Sequence, residues 1–448
     1  MTQGNLWKQI ILFSLPLMAS KMLQVLFNMA DIAVVGHFAE PGAIGAVGST
    51  TALISMFTWF GIGMGSGVNI LVARYLGAKD QKSVEDTIHT GIIICFSTGI
   101  FVLVLGEILA RPLLTVLGTK KELINDAILY FRIYLLGSPA VALYNYGNAI
   151  LSASGDTRRP LIYLSVSGAL NVVLNLVFVI ALDMSVDGVA IASAASQYLS
   201  AILILAKLLK SEGLIKLCPR KIHFHKSYAK QLLSLGLSSA IQYSLFSLSN
   251  VFIQAGINSF EPIVVEANSV ACNSDTVLSN MMNSLSNACT TFVSQNFGAK
   301  NMKRVKKAYL ICFLYLFAVA AVVGCTVAIW GKGFLGLFTP NKEVIDIAIM
   351  RLQLMGFTYW LSSMKDASTS ALRGIGKSVA PTVIVVFGIC VFRIIWIYTI
   401  FAYFGTLLSL YLLYSVTWFI TGSVETIYFI YSYKKTKRQL ELHALLGS

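Results

Sequence analysis

Long apolar stretches separated by short polar segments run along almost the whole chain. Most exceed about 20 residues, the length that an α-helix needs to cross the hydrocarbon core of a bilayer. They lack the period-two alternation of barrel strands, so we expect helices, which satisfy their own backbone hydrogen bonds in lipid. The pattern predicts spans at 10–38, 43–76, 88–117, 123–153, 161–182, 187–210, 229–260, 263–296, 306–338, 343–374, 380–405 and 407–434.

The second half of the chain repeats the first. Gly77-Ala78-Lys79 recurs 221 residues later as Gly298-Ala299-Lys300, and the same shift places Gly155 on Gly376. Each copy holds six spans, so both copies enter the membrane in the same orientation, related by an axis along the membrane normal. The predicted fold class is an all-α integral membrane protein with twelve transmembrane helices in two six-helix lobes. The predicted domains are an N-lobe at 1–210, a cytoplasmic linker at 211–228, a C-lobe at 229–434 and a basic tail at 435–448.

Composition supports a membrane protein. The chain is 56% hydrophobic and 12% charged, whereas soluble domains carry about 25% charged residues. Most lysines and arginines fall on one side of the predicted topology. The other side keeps Arg111, Lys120, Lys121, Lys332 and Lys342. The positive-inside rule then puts both termini and the linker in the cytoplasm, which predicts a multi-pass plasma membrane protein. The net charge of +14 needs no nucleic-acid partner.

Motifs for other function classes are missing from the sequence. There is no P-loop, so ATP is not the evident energy source. No nucleophile–base–acid set with a plausible setting occurs, so we do not expect an enzyme. The seven cysteines are scattered, mostly inside apolar runs, and packing is a better explanation for them than metal or redox chemistry.

Polar residues on the first span form one stripe. Lys21, Gln24, Asn28 and Asp31 follow at steps of three, four and three residues, so they share a helix face. Ionisable groups at membrane depth are costly and mark functional sites by default. A carboxylate such as Asp31 can load and release a cation. The alternative is a structural stripe that bonds to neighbouring helices.

Amides and hydroxyls recur on spans 5 and 6. Asn171 and Asn175 lie one turn apart on span 5, and Ser193 and Gln197 lie one turn apart on span 6. Their oxygens suit Na⁺ coordination, and they equally suit hydrogen bonding between helices.

Glycines at alternate positions of span 2 have two possible roles, which are close packing of helices and local bending during transport. They are Gly61, Gly63, Gly65 and Gly67.

The second half is the more polar one. Its candidate cavity residues are Asn250, Gln254, Glu266, Asp275, Lys365, Asp366 and Arg393. Lys365 and Asp366 are consecutive and leave the helix about 100° apart, so we do not expect them to face one site together. One account is a structural ion-pair network among Glu266, Asp275, Lys365, Asp366 and Arg393. The other is a hydrophilic substrate cavity, joined in the first half by Gln24, Asn28 and Gln197.

Several short motifs together resemble one known family. They are Leu15-Pro16, Asn28-Met29-Ala30-Asp31, Ser152-Ala153-Ser154-Gly155-Asp156-Thr157 with its counterpart Ala371-Leu372-Arg373-Gly374-Ile375-Gly376, and Gly188-Val189-Ala190-Ile191-Ala192-Ser193. The chain thus resembles the MATE (multidrug and toxic compound extrusion) transporters over nearly its whole length. The resemblance implies a MATE/MOP-type fold and alternating-access export of a cationic or amphiphilic small molecule. The driving force would be inward flow of H⁺ or Na⁺, with no other cofactor, and oligomeric state is left open.

The resemblance also assigns roles to residues. The family's first-helix carboxylate falls on Asp31. In the DinF-like branch, which the chain resembles more than the NorM-like branch, the cation site adds positions that fall on Asn171, Asn175 and Ser193. Asn175 stands where members of that branch can carry Asp, so the site has one negative charge and both Na⁺ and H⁺ stay open. Span 7 has no acid at membrane depth to match the NorM-like pattern, since Glu261 lies at its end.

Two rival functions remain from the sequence. One is a flippase for a lipid-linked saccharide from the same superfamily, which the polar, mixed-charge second half favours. Twelve rather than fourteen spans and the loop motifs argue against it. The other is a membrane receptor or scaffold without flux, which is disfavoured because nothing suggests an attached soluble domain.

Overall fold

The computed structural model describes residues 1–38, 42–336 and 338–446, and the regular secondary structure of these residues is helical. The α-helices, α1 to α16 in chain order, are Leu6–Phe38, Ala43–Ala78, Gln81–Val116, Ile124–Leu135, Ser138–Ser154, Arg158–Leu176, Val186–Leu209, Lys226–Ile257, Pro262–Gly298, Met302–Leu335, Lys342–Thr358, Trp360–Gly374, Val379–Val385, Phe392–Trp396, Ala402–Phe404 and Leu407–Leu446. Wider π-helical turns follow α6 and flank α14, at Val177–Ala181, Val386–Val391 and Ile397–Phe401.

The predicted twelve spans correspond to twelve helical segments, some of them interrupted. Among the described residues, nine helices are long and apolar enough to cross a membrane. Two more spans are bent pairs, α4 with α5 at 43° and α11 with α12 at 50°. The twelfth, α9, has the length of a span but carries more polar residues than the other spans. Spans 4 and 10 were predicted as continuous helices, and the bends fall at Leu136–Gly137 and at Tyr359.

Contacts divide the chain into two compact units. Unit 1 contains Met1–Ser14 and Leu245–Ser448, and unit 2 contains Leu15–Ser244. The divisions fall inside α1 and inside α8, whereas the lobes expected from the repeat meet at the linker. The start of α1 is therefore packed with the second half of the chain. Within unit 1, Arg304 donates to the backbone carbonyls of Met1, Gln3 and Gly4 at 2.9–3.3 Å, which fixes the amino-terminal segment.

The repeated Gly-Ala-Lys motif has the same conformation in both copies. Lys79 and Lys300 are left-handed, with φ of 58° and 56°. The next residue caps the following helix: the Asp80 carboxylate accepts from the Ser83 amide at 3.1 Å, and Asn301 accepts from the Arg304 amide at 3.0 Å. These hydrogen bonds satisfy amides that a helix start leaves unpaired. Bonding to Ser83 also lowers the pKa of the Asp80 carboxyl.

The linker that leads to α8 packs on the start of α3 within unit 2. The Lys221 ammonium lies 2.8 Å from the Glu85 carboxylate, and this contact raises the pKa of Lys221. The Cys218 amide donates to Nε2 of the buried His89 at 3.2 Å. That hydrogen bond requires the neutral ring with its proton on Nδ1. The ring of His89 thus helps to hold the linker against α3.

The glycine stripe of α2 serves packing. A Cβ atom on Gly63 would lie 2.4 Å from the Ala240 backbone, and one on Gly67 would lie 2.7 Å from the amide of Gly236. Gly65 instead faces the Asn145 backbone of α5, at 3.3 Å. Alternate glycines therefore admit two different helices, α8 and α5, to close contact with α2.

Replacing Gly63 with Ala should destabilise the protein by about 1–3 kcal/mol, the range for overpacking a tight contact. The matched control is Gly48→Ala in the same helix, where nothing lies within 4 Å of the added Cβ. The control should be neutral or stabilising by up to about 1 kcal/mol, because alanine favours helix. Thermal unfolding in detergent measures both. Equal unfolding temperatures for the two variants would contradict the packing role.

Candidate functional site

Four polar side chains from three helices form a hydrogen-bonded chain inside unit 2. Asp31 of α1 accepts a hydrogen bond from the Asn175 amide of α6, with 2.5 Å between Oδ1 and Nδ2. The same Nδ2 lies 3.4 Å from Oδ1 of Asn171, one turn earlier, and the Asn171 amide lies 3.4 Å from the Ser193 hydroxyl of α7. Asn171, Asn175 and Ser193 are buried. The structure therefore brings all four predicted cation-site residues together.

The orientation of the Asn175 amide determines what this site offers. Its Nδ2 faces the carboxylate, while its Oδ1 is buried and has no hydrogen-bond partner. Donors around a carboxylate stabilise its charged, unoccupied form. A free carbonyl oxygen beside it is the ligand type that Na⁺ or a carboxylic O–H would use. The site itself contains one carboxylate, two amides and one hydroxyl.

The rest of the predicted stripe lies around this cluster with separate contacts. The Lys21 ammonium donates to Gln24 at 3.2 Å and lies 5.8 Å from the centre of the Trp59 ring. Asn28 is exposed. Gln197, one turn beyond Ser193, packs against Gly137 at the bend between α4 and α5, where a Cβ would meet its Oε1 at 1.7 Å. Of the stripe on α1, Asp31 is thus the residue that joins the three-helix chain.

The expectation that Lys365 and Asp366 face apart is wrong. The Lys365 ammonium lies 2.6 Å from the Asp366 carboxylate, and both side chains are largely buried. The backbone directions do differ by about 100°. The long lysine stem nevertheless curls around the helix to reach its neighbour, because two unpaired charges at this depth would cost more.

A single ion-pair network among the five charged residues of the second half does not form. Asp275 of α9 pairs with Arg351 of α11, a residue that the sequence pattern did not single out. Arg351 also donates to Asn268 and lies over the Tyr411 ring at 5.4 Å. Its side chain is 3% exposed and that of Asp275 is 23% exposed. This pair is a local structural contact between two helices.

The remaining candidates of the second half are spread over several environments. Glu266 is exposed near the start of α9. Gln254 donates to Asn258 one turn on, at 2.8 Å. Arg393 is completely buried and donates to the exposed Asn250 at 3.3 Å. The structure thus joins Arg393 to Asn250 and leaves Gln254 and Glu266 elsewhere.

Sequence reasoning also missed Glu425 of α16. This acid is completely buried, and neither of its carboxylate oxygens has a hydrogen-bond partner. Arg373 and Lys365 of α12 lie within electrostatic range, and the Ser368 and Thr426 hydroxyls, 3.0 Å apart, join the two helices beside it. The signal was available, since Glu425 is an acid inside the last apolar run of the sequence.

Comparison with known proteins defines the family. The sequence profile of the MatE family matches residues 16–177 and 237–399, two segments whose starts are 221 residues apart. The chain belongs to the MatE family. It is 25% identical to the probable multidrug resistance protein YoeA of Bacillus subtilis over 87% of this chain and 85% of that protein. It is 23% identical to the probable multidrug resistance protein NorM of Thermotoga maritima, over 89% and 86%.

The fold comparison agrees. A crystal structure of MATE in the bent conformation superimposes with a TM-score of 0.90 at 22% identity, covering 98% of both chains. This MatE-family protein is therefore an integral membrane transporter of the twelve-helix MATE fold, and it is not an enzyme. Transporters of the family act on small molecules and need no cofactor. The DinF-like assignment stays a prediction.

Asp275→Asn in this transporter should lower the free energy of unfolding by about 3–5 kcal/mol, because Arg351 would remain buried without its counter-charge. The control is Asp346→Asn, which breaks an exposed pair with Lys332 whose side chains are 64% and 69% exposed. That change should cost at most about 1 kcal/mol. Unfolding in detergent measures both variants. Similar losses in the free energy of unfolding would show that the buried pair stabilises the protein no more than the exposed pair does.

Proposed function

We propose that this MatE-family protein is a secondary active antiporter that exports cationic or amphiphilic small molecules. Inward movement of H⁺ or Na⁺ through the Asp31 site drives it. The observation that carries the proposal is the hydrogen-bonded chain from Asp31 through Asn175 and Asn171 to Ser193. One ionisable group is tied by neutral amides to two further helices, so occupancy of that group acts on the packing of all three.

The coupling step follows from the chemistry of the Asn175 amide. With Asp31 ionised and unoccupied, the amide presents its N–H to the carboxylate. When a proton or Na⁺ is bound to Asp31, the bound ion requires a neighbouring oxygen, and the amide must present its carbonyl oxygen in place of its N–H. Rotation of the amide then brings the unpartnered Oδ1 toward Asp31 and takes Nδ2 away from both the carboxylate and Asn171. Binding of one small cation thereby rearranges hydrogen bonds across α1, α6 and α7.

That rearrangement favours one facing of the transporter over the other. A ligand shifts such an equilibrium only by its differential affinity for the two states. Moving the population from 1:99 to 99:1 takes a difference of about 10⁴-fold, or roughly 5.5 kcal/mol. Hydrogen bonds to charged groups contribute about 1.5–3 kcal/mol each. The Asn175–Asp31 bond is the one of this kind in the site, and the neutral bonds from Asn175 to Asn171 and from Asn171 to Ser193 contribute about 0.5–1.5 kcal/mol each. Made in one state and lost in the other, the three bonds together reach the required difference at the upper end of these ranges.

Orientation follows from the basic residues. Both termini and the linker of residues 211–228 lie in the cytoplasm, and the protein resides in the plasma membrane. The positive-inside rule supports this, because most lysines and arginines lie in the termini, in the linker and in the loops on the same side of the predicted topology. Export is then movement of the substrate away from the side that carries the linker.

Asp31→Asn should abolish gradient-driven export while leaving folding and membrane insertion intact, because asparagine keeps the shape and loses the charge. The measurement is ethidium transport in proteoliposomes under an imposed H⁺ gradient and, separately, an imposed Na⁺ gradient. The gradient that drives the wild type identifies the coupling ion. The control is Asp126→Asn, an exposed acid of α4 in the same unit, which should transport like the wild type.

Two results would contradict the proposal. Undiminished coupled export by the Asp31→Asn protein would remove Asp31 from the coupling mechanism. A wild-type protein that moves ethidium under neither gradient would argue against antiport and favour a receptor, a scaffold or the flipping of a lipid-linked saccharide.

A further inference from the structure

Arg393 is a buried cation, and two of its nitrogens have no hydrogen-bond partner. It lies on α14, a helix of the second half, and its side chain is completely enclosed. A guanidinium cannot lose its charge in a protein, and a buried charge without a counter-ion is costly. In the part of the chain that the structure describes, no carboxylate lies within ion-pair distance of it.

The hydrogen bonds of Arg393 leave one particular edge open. Nη1 donates to the Asn250 carbonyl oxygen at 3.3 Å, whereas Nε and Nη2 have no partner. These two nitrogens form the side of the guanidinium whose N–H bonds run parallel. That fork matches the two oxygens of a carboxylate or a phosphate. The open edge therefore has the geometry of an oxyanion receptor.

Aromatic rings enclose this cation. The guanidinium carbon lies 4.6 Å from the centre of the Tyr414 ring and 5.4 Å from that of Phe246. The Arg351 guanidinium lies over the same Tyr414 ring at 5.7 Å. Arg351 is neutralised by Asp275, so the group of two arginines and one acid keeps one net positive charge. Asn250, the residue bonded to Arg393, is exposed, so the cluster lies next to accessible surface.

The backbone around Arg393 is irregular. π-helical segments at Val386–Val391 and Ile397–Phe401 flank the five residues of α14. Such turns are rare and occur frequently at functional sites. They widen the helix locally and allow a side chain to be placed where a regular α-helix would not put it. Enclosed charge and irregular backbone thus coincide at one position.

The internal repeat relates the helices of this cluster to those of the cation site in the first half. A shift of 221 residues carries Ser193 to Tyr414 and Asn171 to Phe392, the neighbour of Arg393. Both clusters draw on the first, fifth and sixth spans of their half. The cluster of the first half contains a carboxylate, Asp31, and that of the second half contains a guanidinium. The two halves therefore carry sites of opposite charge on equivalent sets of helices, with the acid on the first span of one half and the arginine on the fifth span of the other.

We propose that Arg393, with Asn250 and the rings of Tyr414 and Phe246, binds the carboxylate or phosphate of an aromatic molecule. The acid fills the Nε–Nη2 edge, and the ring of the ligand packs beside Tyr414 and Phe246. This rests on the proposed transport function and adds to its substrate class amphiphiles that carry an acidic group. The same oxyanion chemistry is found in a lipid headgroup, and the experiment separates the two sources.

The probe is carboxyfluorescein, an aromatic anion, with ethidium as the cationic comparison. Binding to the purified full-length protein is followed by fluorescence anisotropy, and transport is followed in proteoliposomes. Arg393→Gln should weaken carboxyfluorescein binding about tenfold or more, the loss expected for one charge-assisted bidentate contact. Arg393→Lys keeps the charge without the fork and should fall in between. Ethidium binding should change little, and Arg111→Gln, an exposed arginine, should bind both dyes like the wild type.

The lipid arm uses nanodiscs of phosphatidylcholine alone and of phosphatidylcholine with phosphatidylglycerol. Carboxyfluorescein that binds equally in both and is transported in proteoliposomes identifies a solute site. Binding that phosphatidylglycerol displaces, with no transport, assigns the receptor to a lipid headgroup. Both outcomes retain the oxyanion site at Arg393.

Unchanged carboxyfluorescein binding by a folded Arg393→Gln protein would overturn the inference, as would the absence of saturable binding in the wild type. If the glutamine variant fails to fold, Arg393→Lys decides, and binding equal to the wild type would reject the fork. These results differ from a failure of the antiport proposal, in which the wild type binds dyes but moves ethidium under neither ion gradient.

Discussion

The hydrogen bond between Asp31 and Asn175 is the contact on which the account depends. A carboxylate within a membrane-spanning helix is unfavourable unless its charge is neutralised or hydrogen-bonded. Here one amide does this, and the same amide extends the contact to Asn171 and on to Ser193. The charge of one side chain is thus linked to the packing of three helices. The hydrogen bonds hold these side chains in place. An ion that binds Asp31 changes whether the carboxyl group requires a hydrogen-bond donor or an acceptor, and so it alters these bonds.

Much of this site followed from the sequence because helical periodicity is reliable at short range. Residues three or four apart share a face, so Asn171 and Asn175 had to point the same way. The pairing of three spans did not follow from periodicity and came from the family resemblance. The twelve segments and their approximate ends were predictable from apolar length alone. The bends at Gly137 and Tyr359 were not, since both lie inside unbroken apolar runs.

The charged residues of the second half were harder to assign. Backbone direction misled for Lys365 and Asp366, because a flexible stem reaches its partner across 100° of helix. The partner of Asp275 was missed because Arg351 lies far along the chain, and only tertiary packing brings it near. Glu425 was overlooked in a run that otherwise reads as plain membrane helix. The sequence alone predicts that a charged residue is buried in a span. Its partner from a distant part of the chain can be identified only from the structure.

The two halves of the chain share a backbone plan and differ in what they place on it. The left-handed lysine and helix cap of the Gly-Ala-Lys motif recur with nearly equal angles, which shows that the repeat is structural. On the equivalent helices, one half carries Asp31 among neutral amides and the other carries Arg393 among aromatic rings. The two halves therefore supply equivalent sets of helices, and the charged residue lies on the first span of the set in one half and on the fifth span in the other.

The central claim is that ion occupancy at Asp31 controls the binding of substrate elsewhere in the protein. Linkage makes this measurable at equilibrium, because an ion that favours one state must change the affinity of a ligand that favours the other. The measurement is the dissociation constant of ethidium across a series of pH values and Na⁺ concentrations, for the wild type and for Asp31→Asn. We expect the affinity of the wild type for ethidium to fall as the coupling ion binds, and we expect no such dependence in the variant. The same ion dependence in both proteins would contradict it.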